Sequence, residues 1–433
     1  MPIAKRPAMT QRSVWILVVG ALLLVAVVAL VLSTSTGEKK IEQRLDRLYD
    51  IGDPQFRRSM GVLLGPPIIG GNHVEVLLNG DAIFAAMLGE IRRAQRTITF
   101  ETYIYWSDSI GREFAQALSE RASHGVKVHL LLDWVGSAKI DAESIDRMTA
   151  AGVQVERYHK PQWWHWARFN NRTHRKLLVV DGEVGFTGGV GIADKWRGTA
   201  QDADHWRDTH FRVEGPVVAQ MQAVFNDNWV KATGRVLDGE AYFPALAEHG
   251  SQPAQMFSSS PTGGSESMHL MYLMVITAAR HSIELSSSYF VPDDLAIRAL
   301  VDAAHRGVRI RIITPGTQTD SEIVRKASRA LWGDLLAAGV EIAEYRETMF
   351  HCKVLVADGL LVSVGSTNFD NRSFSLNDEA NLNVLDAAFA QAQIAVFEQD
   401  MKRARPVTLT QWRNRPWLEK LAERAASLLG AQL

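Results

Sequence analysis

Two short stretches carry residue types that phosphoryl chemistry uses. In "THRKLLVVDG", 173–182, His174, Lys176 and Asp181 surround an apolar run, and "FHCKVLVADG", 350–359, repeats the spacing with His351, Lys353 and Asp358. Both read H-x-K-x-x-x-x-D-G, and each has a pair of small residues at the same remove from its histidine, Gly188-Gly189 and Gly365-Ser366. One such match is weak evidence, whereas the doubled one points to duplication followed by divergence. The β-branched residues in each run favour a strand, on which positions two apart share a face, so each histidine lies beside its lysine. If the halves pack about a pseudo-two-fold axis, two histidines and two lysines meet in one pocket. That set suits a phosphodiester: the lysines neutralise the non-bridging oxygens, one neutral imidazole attacks phosphorus, and the other, protonated, supplies a proton to the leaving alcohol. No metal or organic cofactor is needed.

A histidine so used needs a carboxylate to hold its tautomer. Asp208 in "HWRDTHFRVEGP" and Glu379 in "NRSFSLNDEANL" are candidates, one in each half. Ser366 and Asn368 can donate hydrogen bonds to phosphate. Asp181 and Asp358 stand at strand ends before glycine, where a turn-forming role competes with direct chemistry.

The elements that must position these groups repeat as well. "DAIFAAMLGEIRRAQ" reads as a helix with Asp81 as its N-cap, "RTITFETYIYW" as a strand, "REFAQALSERASHG" as a helix ending at Gly125, and "VKVHLLLD" as a strand. In the second half "MVITAARHSIELSSSYFVPDD" gives helix then strand, "LAIRALVDAAHRG" a helix ending at Gly307, and "VRIRIITPG" a strand. Alternation of this kind predicts two α/β units, each a mostly parallel sheet flanked by helices. The polar stretch 246–267 marks the break, giving domains at 70–248 and 262–410. The tail, 411–433, reads as an amphipathic helix that packs on the body.

Length and composition bound the rest. The 433 residues exceed one ordinary core. A net charge of -1 gives no global basic field for long nucleic acid. The single cysteine, Cys352, rules out an internal disulfide and a multi-cysteine zinc site. The uncharged stretch 13–33 is long enough to cross a bilayer as one helix, followed by a neck at 34–69 in which the charged "GEKKIEQRLDRLYD", 37–50, reads as helical. Basic residues flank the span on both sides, so the side of the catalytic domains stays open. "KPQWWHWARFNNR", 160–172, sets Trp163, Trp164 and Trp166 beside Arg168 and Arg172, a composition suited to anionic lipid. A loop packed on the body is the competing reading.

With these residues in view the chain resembles the phospholipase D superfamily, whose signature is the doubled H-x-K-x-x-x-x-D motif. Within it the chain is similar to the bacterial cardiolipin synthases, through "ETYIYWSDSIGREFAQALSERASHGVKVHLLLDWVGS", "RTHRKLLVVDG", "WRDTHFRVEGP" and "SYFVPDD". The resemblance covers about residues 70 to 410. It implies two phospholipase D-like domains, with His174 as nucleophile, His351 as general acid, phosphate contacts from Lys176, Lys353 and Asn368, and Asp208 and Glu379 orienting the histidines. It also implies phosphatidyl transfer between two phosphatidylglycerol molecules, and residence in the bacterial cell membrane. One departure stands out: Gly191 occupies the position where the family commonly has asparagine. A hydrolase using water as acceptor competes with the transferase reading. So does an inactive membrane-anchored scaffold, although both histidines and both lysines are intact.

Overall fold

The computed structural model describes residues 15, 18–27, 41–46, 48–158, 171–260 and 266–428. Of the apolar stretch 13–33, only 15 and 18–27 are among these; they are helical, and the anchor expectation falls largely outside the described residues. No helix among the described residues is long and apolar enough to cross a membrane. Trp163, Trp164, Trp166 and Arg168 also lie outside them.

The first half contributes β1 (Ile69–Leu78), β2 (Thr97–Thr102), β3 (Lys127–Asp133), β4 (Gln154–Tyr158), β5 (Leu177–Val180), β6 (Val184–Gly188) and β7 (Thr209–Glu214). The second contributes β8 (Gln252–Ser259), β9 (Ser282–Ser287), β10 (Phe290–Val291), β11 (Arg309–Pro315), β12 (Glu341–Tyr345), β13 (Lys353–Ala357), β14 (Leu361–Gly365), β15 (Phe369–Asp370), β16 (Glu379–Leu385) and β17 (Ala404–Val407). All but β10 and β15 join one 15-stranded sheet, in the order β17-β12-β11-β9-β13-β14-β16-β8-β1-β7-β6-β5-β2-β3-β4. The halves meet where β1 pairs with β8, and the order on either side repeats.

The α/β architecture and its duplication are as the alternation implies, but the sheet is not mostly parallel. Only β2, β3 and β4, and their counterparts β9, β11 and β12, run parallel. Helical crossovers such as Ser109–Ser123 make that possible. The motif strands β5 and β13 instead lie antiparallel to β2 and β9 and return at once as hairpins into β6 and β14, a connection too short for any crossover. Three further expectations are corrected. Asp81 is not an N-cap: it sits within the helix Asn79–Arg93, and its carboxylate accepts from Gly198 N at 2.8 Å. The described part of the neck before residue 51 is irregular rather than helical, tied to the second half through Arg44–Asp302 and Arg280–Asp50 ion pairs. The polar stretch taken as the break contains β8, whose Ala254, Met256 and Phe257 are fully buried.

One apolar cluster spans the seam. It joins Leu177, Val179 and Phe211 to Val354, Val356, Val364 and Leu382, so the two motif strands rest on a common core. The terminal helix Trp417–Ser427 lies against Glu322–Ala330 through Ala426 and a buried Glu423–Arg329 ion pair, and turns Trp417, Leu418 and Leu421 to solvent.

Candidate active site

Because β5 and β13 run against their parallel neighbours, their starts lie beside the carboxyl ends of β2 and β9. Register pairs Glu101 with Leu177, and Ser287 with Lys353. The two histidines, three residues before β5 and two before β13, therefore arrive at the same edge, and both line a cavity of about 250 Å³.

Each histidine is held from the opposite half. His174 Nδ1 stands 3.0 and 3.2 Å from the carboxylate oxygens of Glu379, and His351 Nδ1 stands 2.9 Å from Asp208 Oδ2. The backbone repeats the exchange. His174 N donates to Asp378 O (2.9 Å) while Asp378 N donates to Arg172 O (2.8 Å); His351 N donates to Arg207 O (2.7 Å) while Arg207 N donates to Met349 O (2.9 Å). Carboxylates accept only, so Nδ1 of each imidazole carries the proton and Nε2 is the atom left for chemistry.

Burial works on every group here. It pushes the His174 pKa down to about 4, against the upward pull of Glu379. His351 is likewise lowered by burial and by Lys353, against Asp208. Burial and the neighbouring Lys353 bring Lys176 down to about 7, and burial also lowers Lys353. Burial raises the two carboxylates, but hydrogen bonds and cationic neighbours outweigh it, and both Asp208 and Glu379 end below their ordinary values. The site thus holds neutral imidazoles and ionised carboxylates, with the two lysine amines crowded against each other and Lys176 only partly protonated at neutral pH. An incoming anion relieves that crowding. Lys176 Nζ donates to His174 O (2.7 Å), and Lys353 Nζ donates to His351 O (2.8 Å) and to Ser288.

Not every candidate reaches the cavity. Asp181 and Asp358 lie at the far ends of β5 and β13, roughly 17 Å of strand from the lysines. Asp181 accepts from the backbone N–H groups of Gln95, Arg96 and Thr97 at 2.7–2.9 Å, and Asp358 does the same for Arg280, His281 and Ser282. Both sit at positive φ, 53° and 52°. They fasten hairpins to the preceding helix–strand turns, which corrects their placement among the catalytic groups. Ser366 is also redirected, since its hydroxyl donates to Glu379 Oε2 rather than facing the cavity. Asn368 does line the cavity, and its buried Oδ1 has no hydrogen-bond partner among the described residues.

The walls break the two-fold symmetry. Where the second half has Ser366, the first has Gly189, and a Cβ there would lie 2.2 Å from Asp208 Oδ1. Trp196 performs the missing duty, its Nε1 donating to Asp208 Oδ2 at 2.9 Å. Where the second half has Asn368, the first has Gly191, and a Cβ there would lie 2.9 Å from Ile104 Cβ and 3.1 Å from the Trp196 ring. One indole therefore replaces two side chains. Trp196 and Trp206 pack against His351 (ring centroids 5.3 and 5.5 Å), while Tyr103 packs against His174 (5.2 Å). Arg172, Arg372, Asn377, Asp370, Tyr289 and Asp320 complete the lining. Sequence reasoning missed most of these. Arg172 was legible only as a cation beside the tryptophans, because the segment 171–176 that brings it to the cavity precedes β5 and follows no strand alternation.

A family model described as "Cardiolipin synthase, PLD-like domain" matches residues 87–229 and 272–401. A cardiolipin synthase of Geobacillus thermodenitrificans is 36% identical over 370 residues, spanning 85% of this chain and 74% of that protein. A cardiolipin synthase A of Pseudomonas fluorescens is 34% identical over 378 residues, spanning 86% and 77%. Among solved structures, the phosphatidylserine synthase of Haemophilus influenzae covers 88% of this chain and 100% of its own, with a TM-score of 0.66 and 12% identity, a likeness of fold.

Proposed function

Since the chain belongs to the phospholipase D superfamily and is an enzyme of its cardiolipin synthase type, a phosphatidyltransferase, we propose that it joins two phosphatidylglycerol molecules into cardiolipin and releases glycerol. The observation that carries this reading is the crossed pairing of His174 with Glu379 and His351 with Asp208 around one cavity. Lys176 and Lys353 receive the phosphodiester anion, and its charge offsets the field that keeps the imidazoles neutral, returning His351 to its protonated form. His174 Nε2 then bonds to phosphorus as the bond from phosphorus to the glycerol oxygen breaks, and the Nε2 proton of His351 goes to that oxygen. In the second half-reaction His351 Nε2 takes the proton of the incoming primary hydroxyl. Its oxygen bonds to phosphorus, and the phosphohistidine bond breaks. Glu379 stabilises the positive charge that His174 acquires.

On this reading the apolar stretch 13–33 anchors the enzyme beside its lipid. A tethered site samples headgroups at high effective concentration.

The experiment is to incubate the detergent-purified chain with phosphatidylglycerol and analyse the lipids by mass spectrometry, with His174→Ala as control. Cardiolipin and free glycerol from the wild type alone are expected. Phosphatidic acid without cardiolipin would make the enzyme a hydrolase.

A further inference from the structure

The cavity wall presents cations to an anionic substrate, and one acidic group stands against that logic. Asp208 and Glu379 are spoken for by the histidines. Asp370 lines the cavity too, but its Oδ1 accepts from Ser373 N at 2.7 Å and burial raises its pKa to about 7. Asp320 differs: it is exposed at the rim, in the loop after β11, and Tyr289 donates its hydroxyl to Oδ2 at 2.6 Å. Oδ1 takes no hydrogen bond from the protein among the described residues. An ionised carboxylate here opposes phosphate binding through its charge. That cost is offset if the carboxylate binds another part of the substrate.

Its position says which part. β11 and the Tyr289 segment after β9 both belong to the second half, and the charge of Asp320 raises the pKa of both His351 and Lys353. In the transfer proposed above, the group that meets phosphorus beside His351 is a glycerol, first as leaving alcohol and then as the headgroup of the acceptor. Glycerol carries a hydroxyl adjacent to its reacting oxygen, a donor that propanol or water at that position lacks. Oδ1 is an open acceptor, and the Tyr289 oxygen, having given its own proton to Oδ2, can accept a second hydroxyl.

We propose that Asp320, held in place by Tyr289, is a specificity residue that recognises the free hydroxyls of the glycerol headgroup at the alcohol side of the site. The inference rests on the transferase reading. It assigns the choice of glycerol over simpler alcohols to this pair, and leaves phosphate binding to Lys176, Lys353 and the arginines.

The test uses the full chain in detergent with phosphatidylglycerol, offered deuterated glycerol, propan-1-ol and ethanolamine in competition. The readout is the ratio of labelled phosphatidylglycerol to phosphatidylpropanol. A hydrogen bond from hydroxyl to carboxylate is worth about ten- to a hundred-fold, so Asp320→Asn lowers that ratio by this factor, and Tyr289→Phe lowers it several-fold. An unchanged ratio in Asp320→Asn, including one where both products fall together, would overturn the inference and leave Asp320 as a group that only tunes His351. Preference for ethanolamine in the wild type, lost in Asp320→Asn, would overturn it in favour of an ammonium ligand. Absence of cardiolipin and of glycerol exchange in the wild type would instead refute the transferase reading itself.

Discussion

Substituting Glu379 by glutamine removes one charge from beneath His174 and little else. The side chain is fully buried, where His174 Nδ1, the Ser366 hydroxyl and Asn377 Nδ2 converge on its two oxygens. A glutamine oxygen still accepts from His174. Its NH2 then meets Ser366 Oγ, which can turn its own proton to Ala380 O, 3.3 Å away. Packing survives, but the negative partner of the developing imidazolium is gone. In a water-excluded site that partner is worth about 2–3 kcal/mol, so turnover falls roughly 30- to 150-fold. The crossed pairing sharpens the expectation. With a phosphatidyl-p-nitrophenol donor, whose leaving anion needs no proton, Glu379→Gln slows the initial burst of nitrophenol. Asp208→Asn keeps the burst and slows the turnover that follows, because Asp208 serves the histidine that handles the alcohol. Turnover of Glu379→Gln within two-fold of wild type, or the two phenotypes exchanged, would refute the assignment of His174 as nucleophile held by Glu379.

Other perturbations separate chemistry from architecture. Lys176→Met abolishes transfer yet raises the melting temperature, since it removes a buried charge crowded by Lys353; the linkage has the same sign, because the folded pKa lies below the unfolded one and stability rises from about pH 7 towards the unfolded lysine value, as denaturation measured across that range would show. Asp181→Ala leaves the rate per folded molecule intact but costs about 1–3 kcal/mol in a urea titration, because three backbone N–H groups lose their acceptor. Gly191→Asn, although it restores the residue common in the family, lowers activity: its Cβ collides with Ile104 and displaces the Trp196 ring from Asp208. Chelators leave the wild-type rate unchanged in the phosphatidylglycerol assay.

Much of this site was legible because it is written twice. Spacing singled out the two histidines and lysines, strand alternation put each pair on one face, and a carboxylate could be sought downstream in each half. Which carboxylate serves which histidine was hidden, because the partners lie 205 and 143 residues apart and belong to opposite halves. The hairpin after each motif was visible as Asp-Gly. Its consequence, an antiparallel insertion into a sheet begun in parallel, was lost by extending the early helix–strand alternation too far. The walls resisted for a different reason: Trp196 comes from a single 3-10 turn and Asp320 from a loop, and Trp196 has its role only because Gly191 leaves room for its ring while Gly189 leaves the Asp208 carboxylate uncrowded.

The crossed pairing also governs when the protein first becomes reactive. Glu379 leaves the ribosome 205 residues after His174, a delay of roughly 10–40 s at ordinary translation speeds of about 5–20 residues/s. Throughout that interval the first half's histidine has no carboxylate beside it and its aspartate has no histidine to hold. On the proposed mechanism, nascent chains and truncated products that lack Glu379 therefore hold no complete site. Lipid turnover begins only when synthesis of the second half is all but finished and the two halves have closed on each other.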